Sequence, residues 1–311
     1  MGRVERHKKK KKPMKLWLKI LFIVIAIIVL GTTAYAYSIY HNAKKTVDDK
    51  MHEQVGAIDI GITKKKLQSK EPLNILLLGV DAKEGESGRS DAMMVLTVDP
   101  KSDQMQLISI PRDTRVPIAG RDGEDKINHA NAFGGHDMAV ATVEDFLDIE
   151  LDFYVSINMD GFEELVDQLD GITVMSERAW SDEKFSFSEG QIEMDGRETM
   201  GYVRMRKQDP EGDFGRTKRQ RQVIQGIVDK GATVGSVTKI NGLIDILGDN
   251  MATNMDFDDM KNLLADYRDT RKNFTDYQME GEGTNIGGVY YLIISDEEVA
   301  KVKGMIEDIG S

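Results

Sequence analysis

Leu73-Asn74-Ile75-Leu76-Leu77-Leu78-Gly79-Val80 decides the fold class. The run has the length of a strand but lacks the polar alternation of one with a wet face, so it reads as a strand buried on both sides. Further strand candidates are Met93–Val98, Met105–Ile110, Phe153–Ile157 and Val289–Ile294. Helix candidates are Met138–Leu147, Gly161–Gln168, Thr217–Val228 and Asp296–Ile309. Strands covered on both faces and mixed with helices predict an α/β sandwich, a mixed central β-sheet flanked by helices. There is no fixed-period repeat, and no low-complexity tract beyond a run of N-terminal lysines.

Upstream of Leu73 the chain changes character twice. From 41 to 70 it is polar and charged, with Lys64-Lys65-Lys66 in the middle and no sustained apolar stripe, which reads as a stalk. Ile20 to Tyr40 is uncharged and mostly apolar, and at about 1.5 Å per residue it covers a hydrocarbon layer of ~30 Å. Lys8 to Lys12, Lys15 and Lys19 precede it, a positive-inside pattern, while Trp17 on one side and Tyr35, Tyr37 and Tyr40 on the other suit the two interfacial belts. The expected layout is a cytoplasmic basic tail at 1–15, a single transmembrane signal-anchor at 16–40, a stalk at 41–70 and an extracytoplasmic domain at 71–311. That is a single-pass type II protein of the cell membrane. Ala34-Tyr35-Ala36 also matches a signal-peptidase pattern, but the apolar stretch exceeds the usual h-region, which favours a retained anchor. On either reading the body is exported.

The absence of cysteine excludes disulfides, thiolate zinc sites and a cysteine nucleophile. Residues 1–19 hold nine of the 41 Lys+Arg and one of the 53 Asp+Glu, so the remaining 32 basic and 52 acidic residues leave a formal charge of −20. Such a body repels nucleic acid unless its basic residues are gathered in one place. They are gathered between Arg204 and Arg221, where seven Lys/Arg face three acids. Read as extended, Tyr202-Val203-Arg204-Met205-Arg206 points Arg204 and Arg206 to one side and Val203 and Met205 to the other. In the helix that follows, the apolar stripe Val223, Ile224, Ile227, Val228 continues toward the N-terminus as Arg219, Gln220 and Arg216. Cations there oppose the positive end of the helix dipole, and a bound anion would remove the penalty. Guanidinium forks and a helix N-terminus suit a diphosphate; a solvated basic surface paired with nearby acids is the alternative. Nucleic acid is excluded as a partner outside the cell.

Asp81 directly follows the first strand, and Asp91 lies in Gly88-Arg89-Ser90-Asp91 before the next. Two carboxylates at the carboxyl ends of strands suit Mg²⁺ bridging to phosphate oxygens, and turn residues fit the same spacing equally. Ser109-Ile110-Pro111-Arg112-Asp113 adds Arg112 as a fifth cation, with Asp113 as its ion-pair partner. In Lys126-Ile127-Asn128-His129-Ala130, Asn128 or the following Asn131 suits a helix cap, and His129 is not favoured as a catalyst. No G-x-S-x-G, Walker A, H-E-x-x-H or S-x-x-K constellation is present, so a covalent enzyme intermediate is not indicated.

Taken in order, Leu77-Leu78-Gly79-Val80-Asp81, Arg89-Ser90-Asp91, Ser109 to Asp113, Lys126 to Ala130, Tyr202 to Arg206, and Gly212-Asp213-Phe214-Gly215-Arg216 with Arg219-Gln220 resemble the LytR-CpsA-Psr proteins of bacterial cell walls. Among them the chain is most similar to the teichoic acid transferases. The resemblance implies a phosphotransferase that moves an anionic glycopolymer such as wall teichoic acid from a polyprenyl-diphosphate carrier in the membrane lipid to a peptidoglycan sugar hydroxyl. It implies that Arg112, Arg204, Arg206, Arg216 and Gln220 hold the diphosphate, with Arg89 and Arg219 around the same pocket. It implies that Asp81 and Asp91 serve Mg²⁺ and the acceptor hydroxyl, so that Asp81, Asp91 and Arg112 form the catalytic set. An apolar cavity between sheet and helices is expected for the lipid tail. Hydrolysis of the lipid diphosphate and a non-enzymatic regulatory role in wall synthesis are the alternatives.

Overall fold

The computed structural model describes residues 16–81, 88–206, 209–232 and 237–309, with only the backbone described for 16–24 and 237–241. The chain divides into two compact units, Met1–Asn42 and Ala43–Ser311. A long helix, α1, spans Leu16–Thr46. Among the described residues no helix is long and apolar enough to cross a membrane. The basic tail and the side chains of residues 16–24, on which the anchor expectation draws, lie outside those residues.

The larger unit is built on six strands. The central strand β1 (Leu73–Asp81) pairs antiparallel with β2 (Arg89–Asp99), which pairs antiparallel with β3 (Gln104–Ser109). A short hairpin, β4 (Arg115–Pro117) and β5 (Glu124–Lys126), leads into α3 (His129–Leu147), and β6 (Phe153–Asn158) then returns parallel to β1. Next come α4 (Met159–Gln168), β7 (Ile172–Ser176), β8 (Trp180–Ser181), β9 (Ser186–Phe187), β10 (Gly190–Met194), α5 (Gly196–Arg204), α6 (Asp213–Gly231) and α7 (Val237–Asn250). The sheet is completed by β11 (Met251–Thr253) beside β6 and β12 (Asn273–Gln278) parallel to β3, giving the order β11-β6-β1-β2-β3-β12. Helix α8 (Phe257–Asp266), the hairpin β13 (Glu282–Ile286) and β14 (Val289–Ile293), and α9 (Asp296–Asp308) complete the unit.

The continuous apolar run of β1 is explained by two covered faces. Leu76, Leu78 and Val80 join a core with Val140, Val143 and Val302 from α3 and α9. Leu73 and Ile75 join a second core that includes Tyr267 and Leu67, with Ile224 and Val228 of α6 packed against it. The mixed sheet flanked by helices agrees with the sequence reading. Val289 to Ile293 is a strand as expected, but it pairs in the β13–β14 hairpin rather than in the main sheet.

Two expectations are overturned. Residues 43–70 are not a free stalk: Ala43, Val47, Met51, Val55, Ile58, Thr63 and Leu67 are buried within the larger unit. The four-residue spacing of the first four is one side chain wide and is flanked by charges, which hid it. A short helix, α2 (Ile60–Ser69), is capped by Asp59, whose carboxylate accepts from Gly61 N and Ile62 N. Two of its three lysines are paired, Lys64 with Asp256 at 2.7 Å and Lys66 with Asp152 at 3.0 Å. The second correction is Tyr202 to Arg206, which is not extended: α5 runs through Arg204, started by a reciprocal capping box between Asp195 and Glu198. Helical phase, not alternation, buries Thr199, Met200, Tyr202 and Val203.

Candidate functional site

The carboxyl ends of β1 and β3 meet the first turn of α6, and the site is assembled there. Gly79 pairs with Ala92 and Val80 with Ser90, leaving Asp91 as the extra residue of a β-bulge. A bulge re-aims the side chain it carries, and here it directs Asp91 toward the turn after β3. Arg112 Nη1 donates to Asp91 Oδ1 at 2.9 Å, and its Nε lies 3.7 Å from Asp113. Asp113 is held in turn by Lys126 Nζ, which donates to it at 2.6 Å. Asn128 does not cap α3. Its amide donates to Asp91 Oδ1 at 3.4 Å, its own N–H reaches the Arg112 carbonyl, and its carbonyl accepts from Ser90 N. Asn131 likewise turns away from capping and donates to Gly88 O at 2.7 Å. His129 is occupied with Asp125 at 3.0 Å and belongs to the neighbouring hairpin.

Arg216, in the first turn of α6, projects into the same space. Its side chain is only 13% exposed and pairs with Asp213 at 2.8 Å, and Arg206 approaches the same carboxylate at 3.8 Å. Burial pushes the Arg216 guanidinium below its ordinary range; Asp213 and Asp91 oppose that, while Arg112 and Arg206 add to it. For Arg112, burial acts in the same direction, but Asp91 beside it outweighs burial and raises the value. One arginine is thus matched to its own carboxylate, and the other is a largely buried cation that shares its carboxylate with Arg206. The Nε atoms of both arginines are buried without a hydrogen-bond partner.

The remaining expected residues divide. Arg219 is not a pocket cation: it is buried, and its guanidinium donates to the Tyr202 and Met205 carbonyls and to Asp209. Asp209 packs so close to α6 that a side chain at Gly215 would collide with it, which makes the glycine a condition of the clamp. Arg219 therefore fixes the segment that carries Arg206. Arg204 is exposed in the last turn of α5, and Arg89 and Asp81 are exposed partners at the end of the β1–β2 ladder. Asp209 and Asp213 were not singled out from the sequence. The signal available for them was the Asp-x-x-x-Asp-x-x-Arg spacing around Gly212, with the second acid three residues before Arg216 on the same helix.

Gln220, one turn beyond Arg216, stands at the edge of a cavity of about 220 Å³ between the sheet and helices α4 to α7. Its walls include Leu77, Met94, Ile157, Phe162, Val203 and Ile224, almost entirely apolar. Along one face of α6 the sequence Asp213, Arg216, Gln220, Ile224, Ile227 therefore runs from charged, through amide, to aliphatic. The phase read from the sequence for Arg216 and Gln220 is the phase observed.

Among the described residues no group of three or more His, Cys, Asp or Glu is arranged to hold a metal ion. In the segments next to Asp91, the buried oxygens Asn128 Oδ1, Asn131 Oδ1 and Ser90 Oγ have no hydrogen-bond partner. An oxygen set of this kind suits a small divalent cation better than a soft one.

Residues 31–307 match the model of the LytR_cpsA_psr family. The chain belongs to that family. It is 44% identical over 297 residues, 96% of each chain, to the polyisoprenyl-teichoic acid–peptidoglycan teichoic acid transferase TagU of Bacillus subtilis. The crystal structure of B. subtilis TagU superposes with a TM-score of 0.64 at 40% identity, covering 78% of this chain and 98% of that one. A structure of TagT bound to LIIa-WTA matches at TM-score 0.67 and 31% identity, covering 84% of this chain and 96% of that one. As a LytR_cpsA_psr protein the chain carries its charged cluster and its apolar cavity side by side on one helix.

Proposed function

We propose that the chain transfers an anionic glycopolymer, wall teichoic acid by its likeness to TagU, from a polyprenyl-diphosphate carrier to a peptidoglycan sugar hydroxyl. The observation that carries this reading is Arg216, a largely buried cation that shares one carboxylate with Arg206 and stands one helical turn from an apolar cavity. An anion with an apolar tail satisfies both features: the diphosphate relieves the cluster and the prenyl chain fills the cavity. The acceptor oxygen forms a new bond to the polymer-side phosphorus, the bridging P–O bond breaks and polyprenyl phosphate leaves. The hydroxyl proton passes to a carboxylate of the β1–β2 rim, Asp81 or Asp91. Fixed guanidiniums oppose the charge that gathers on the leaving phosphate, which lowers the barrier without reorganisation.

Mg²⁺ belongs to the same proposal: Asp91 and Asp81 would hold it, and it would supply further positive charge opposite the phosphates. Arg89 and Arg204 serve at the exposed rim. So does the anchor: the uncharged run from Ile20 to Tyr40 behind a lysine-rich tip supports a single span with the domain outside the cell. A donor whose tail stays in the bilayer requires its enzyme near that surface.

Labelled polymer on a polyprenyl diphosphate, incubated with the full chain and peptidoglycan, tests the reading. Polymer bound covalently to peptidoglycan is expected. Free polymer alone would make the chain a hydrolase, and unchanged donor would leave a regulatory role.

A further inference from the structure

We infer that the groove on the other side of the arginine cluster is the subsite for the acceptor glycan, a binding site for β-linked amino sugars. This inference rests on the transfer reading above. The groove has a volume of about 230 Å³ and is lined by Pro111, Asp113, Arg206, Asp213, Phe214 and Tyr290, with Gln278 and Leu292 at its base. Pro111 and Asp113 flank Arg112 in sequence, and Arg206 and Asp213 are ion-paired within the cluster, so whatever fills the groove lies against the phosphate position.

Its chemistry is that of a sugar site rather than an apolar dock. Phe214 and Tyr290 are 40% and 47% exposed, large rings held open to solvent where burial would ordinarily be favoured. The Tyr290 ring is laid closely over Gly283 of the facing strand, which holds it in place without covering its outer face. Alternation along β14 sends Tyr291 the other way, toward Asp125 and Lys126, so Tyr290 alone of that pair serves the groove. The hairpin is fixed beside the Arg112 turn by Leu292 N donating to Asp113 O at 2.9 Å. Around the rings stand groups that hydrogen-bond hydroxyls and acetamides: the carboxylates of Asp113 and Asp213, and the amide of Gln278, whose Oε1 accepts from Arg221 at 3.1 Å while its NH₂ remains to donate. Aromatic faces for the ring C–H groups and polar groups for the rim together recognise a saccharide.

Position completes the case. Asp213 and Phe214 start α6, Arg216 follows within the first turn, and Gln220 opens the cavity about 6 Å beyond Arg216 along the axis. Acceptor, phosphoryl group and prenyl tail thus occupy three consecutive zones of one helix. A hydroxyl in the groove approaches the phosphorus from the side opposite the departing lipid phosphate, as an in-line displacement requires.

The test uses the full chain in nanodiscs, with an undecorated β-1,4 oligosaccharide of N-acetylglucosamine and N-acetylmuramic acid as acceptor. Phe214→Ala and Tyr290→Ala are each expected to raise the acceptor KM about tenfold, with donor affinity unchanged, and Tyr290→Phe to keep the wild-type value. Direct glycan binding without donor is measured alongside, so the groove is judged even if the chain proves to be a hydrolase. Loss of glycan binding in Tyr290→Ala supports the subsite in that case too. Glycan affinity unaltered in both alanine variants, or an equal fall in donor affinity, overturns it.

Discussion

Arg216 and Arg219 leave α6 within one turn of each other, and both lose most of their contact with water, yet their surroundings differ in one respect. Arg219 faces Asp209 and two backbone carbonyls, which take one bond from each of its three nitrogens. Arg216 faces a single carboxylate that it shares with Arg206, and it is repelled by two other arginines. Burial of a charge is tolerated where it is fully compensated, and where the compensation is shared with a second cation, the position is held for something else. The first arrangement builds the segment and the second uses it.

Substitutions can break that contrast, and the largest effect is expected on the chemistry. Arg112→Ala removes the guanidinium that Asp91 orients and should lower polymer transfer by about 10²–10³-fold, measured with labelled donor, while the melting temperature stays close to wild type. Arg219→Ala should do the reverse in kind: it leaves buried Asp209 with only the more distant Arg178 as counter-charge and should cost about 3 kcal/mol in denaturant unfolding. A transfer defect in Arg219→Ala that persists at temperatures where the variant is fully folded would blur the distinction.

The clamp also has a pH signature. Burial works to raise the Asp209 value, but Arg219, the Glu211 N–H and Arg178 outweigh it and hold the carboxyl below its ordinary range. An aspartate depressed on folding contributes stability above its unfolded value of about 3.9 and loses it as pH falls through the folded value. Acid unfolding should therefore steepen below about pH 4, and Asp209→Asn should flatten that limb. Titration of wild type and variant by circular dichroism checks it.

A smaller effect sharpens the other end of the helix. Ala92→Leu projects new methyl groups into the cavity and should weaken a long-chain donor about tenfold relative to one with a single prenyl unit, read as a ratio of kcat/KM values. The smallest effect is expected for Arg204→Ala, less than about threefold on transfer, because that side chain is exposed and outside the ion-paired cluster.

How much of this was legible in sequence followed from how local the determining physics was. The double-sided burial of β1 is written in eight consecutive residues, and the inward phase of Arg216 and Gln220 follows from counting along one helix. The α5 helix was misread because Val203 and Met205 imitate alternation over a span too short to decide, while the capping box at Asp195 and Glu198 carried the better signal. The exposure of Asp91 to Arg112 depends on a bulge set by pairing with β1, and no spacing within β2 reveals it. Arg219 looked like its neighbours because its partners, Asp209 and two carbonyls, are brought to it only when α5 and α6 pack.

Arg216, a buried charge only partly offset by a carboxylate that it shares with Arg206, marks the diphosphate position. The direct measurement is the affinity of the full chain and of Arg216→Ala for a polyprenyl diphosphate, determined under the same conditions in nanodiscs. Affinity should fall at least about tenfold, with folding stability unchanged or slightly improved by removal of a disfavoured charge. An unchanged affinity in a well-folded Arg216→Ala chain would contradict it.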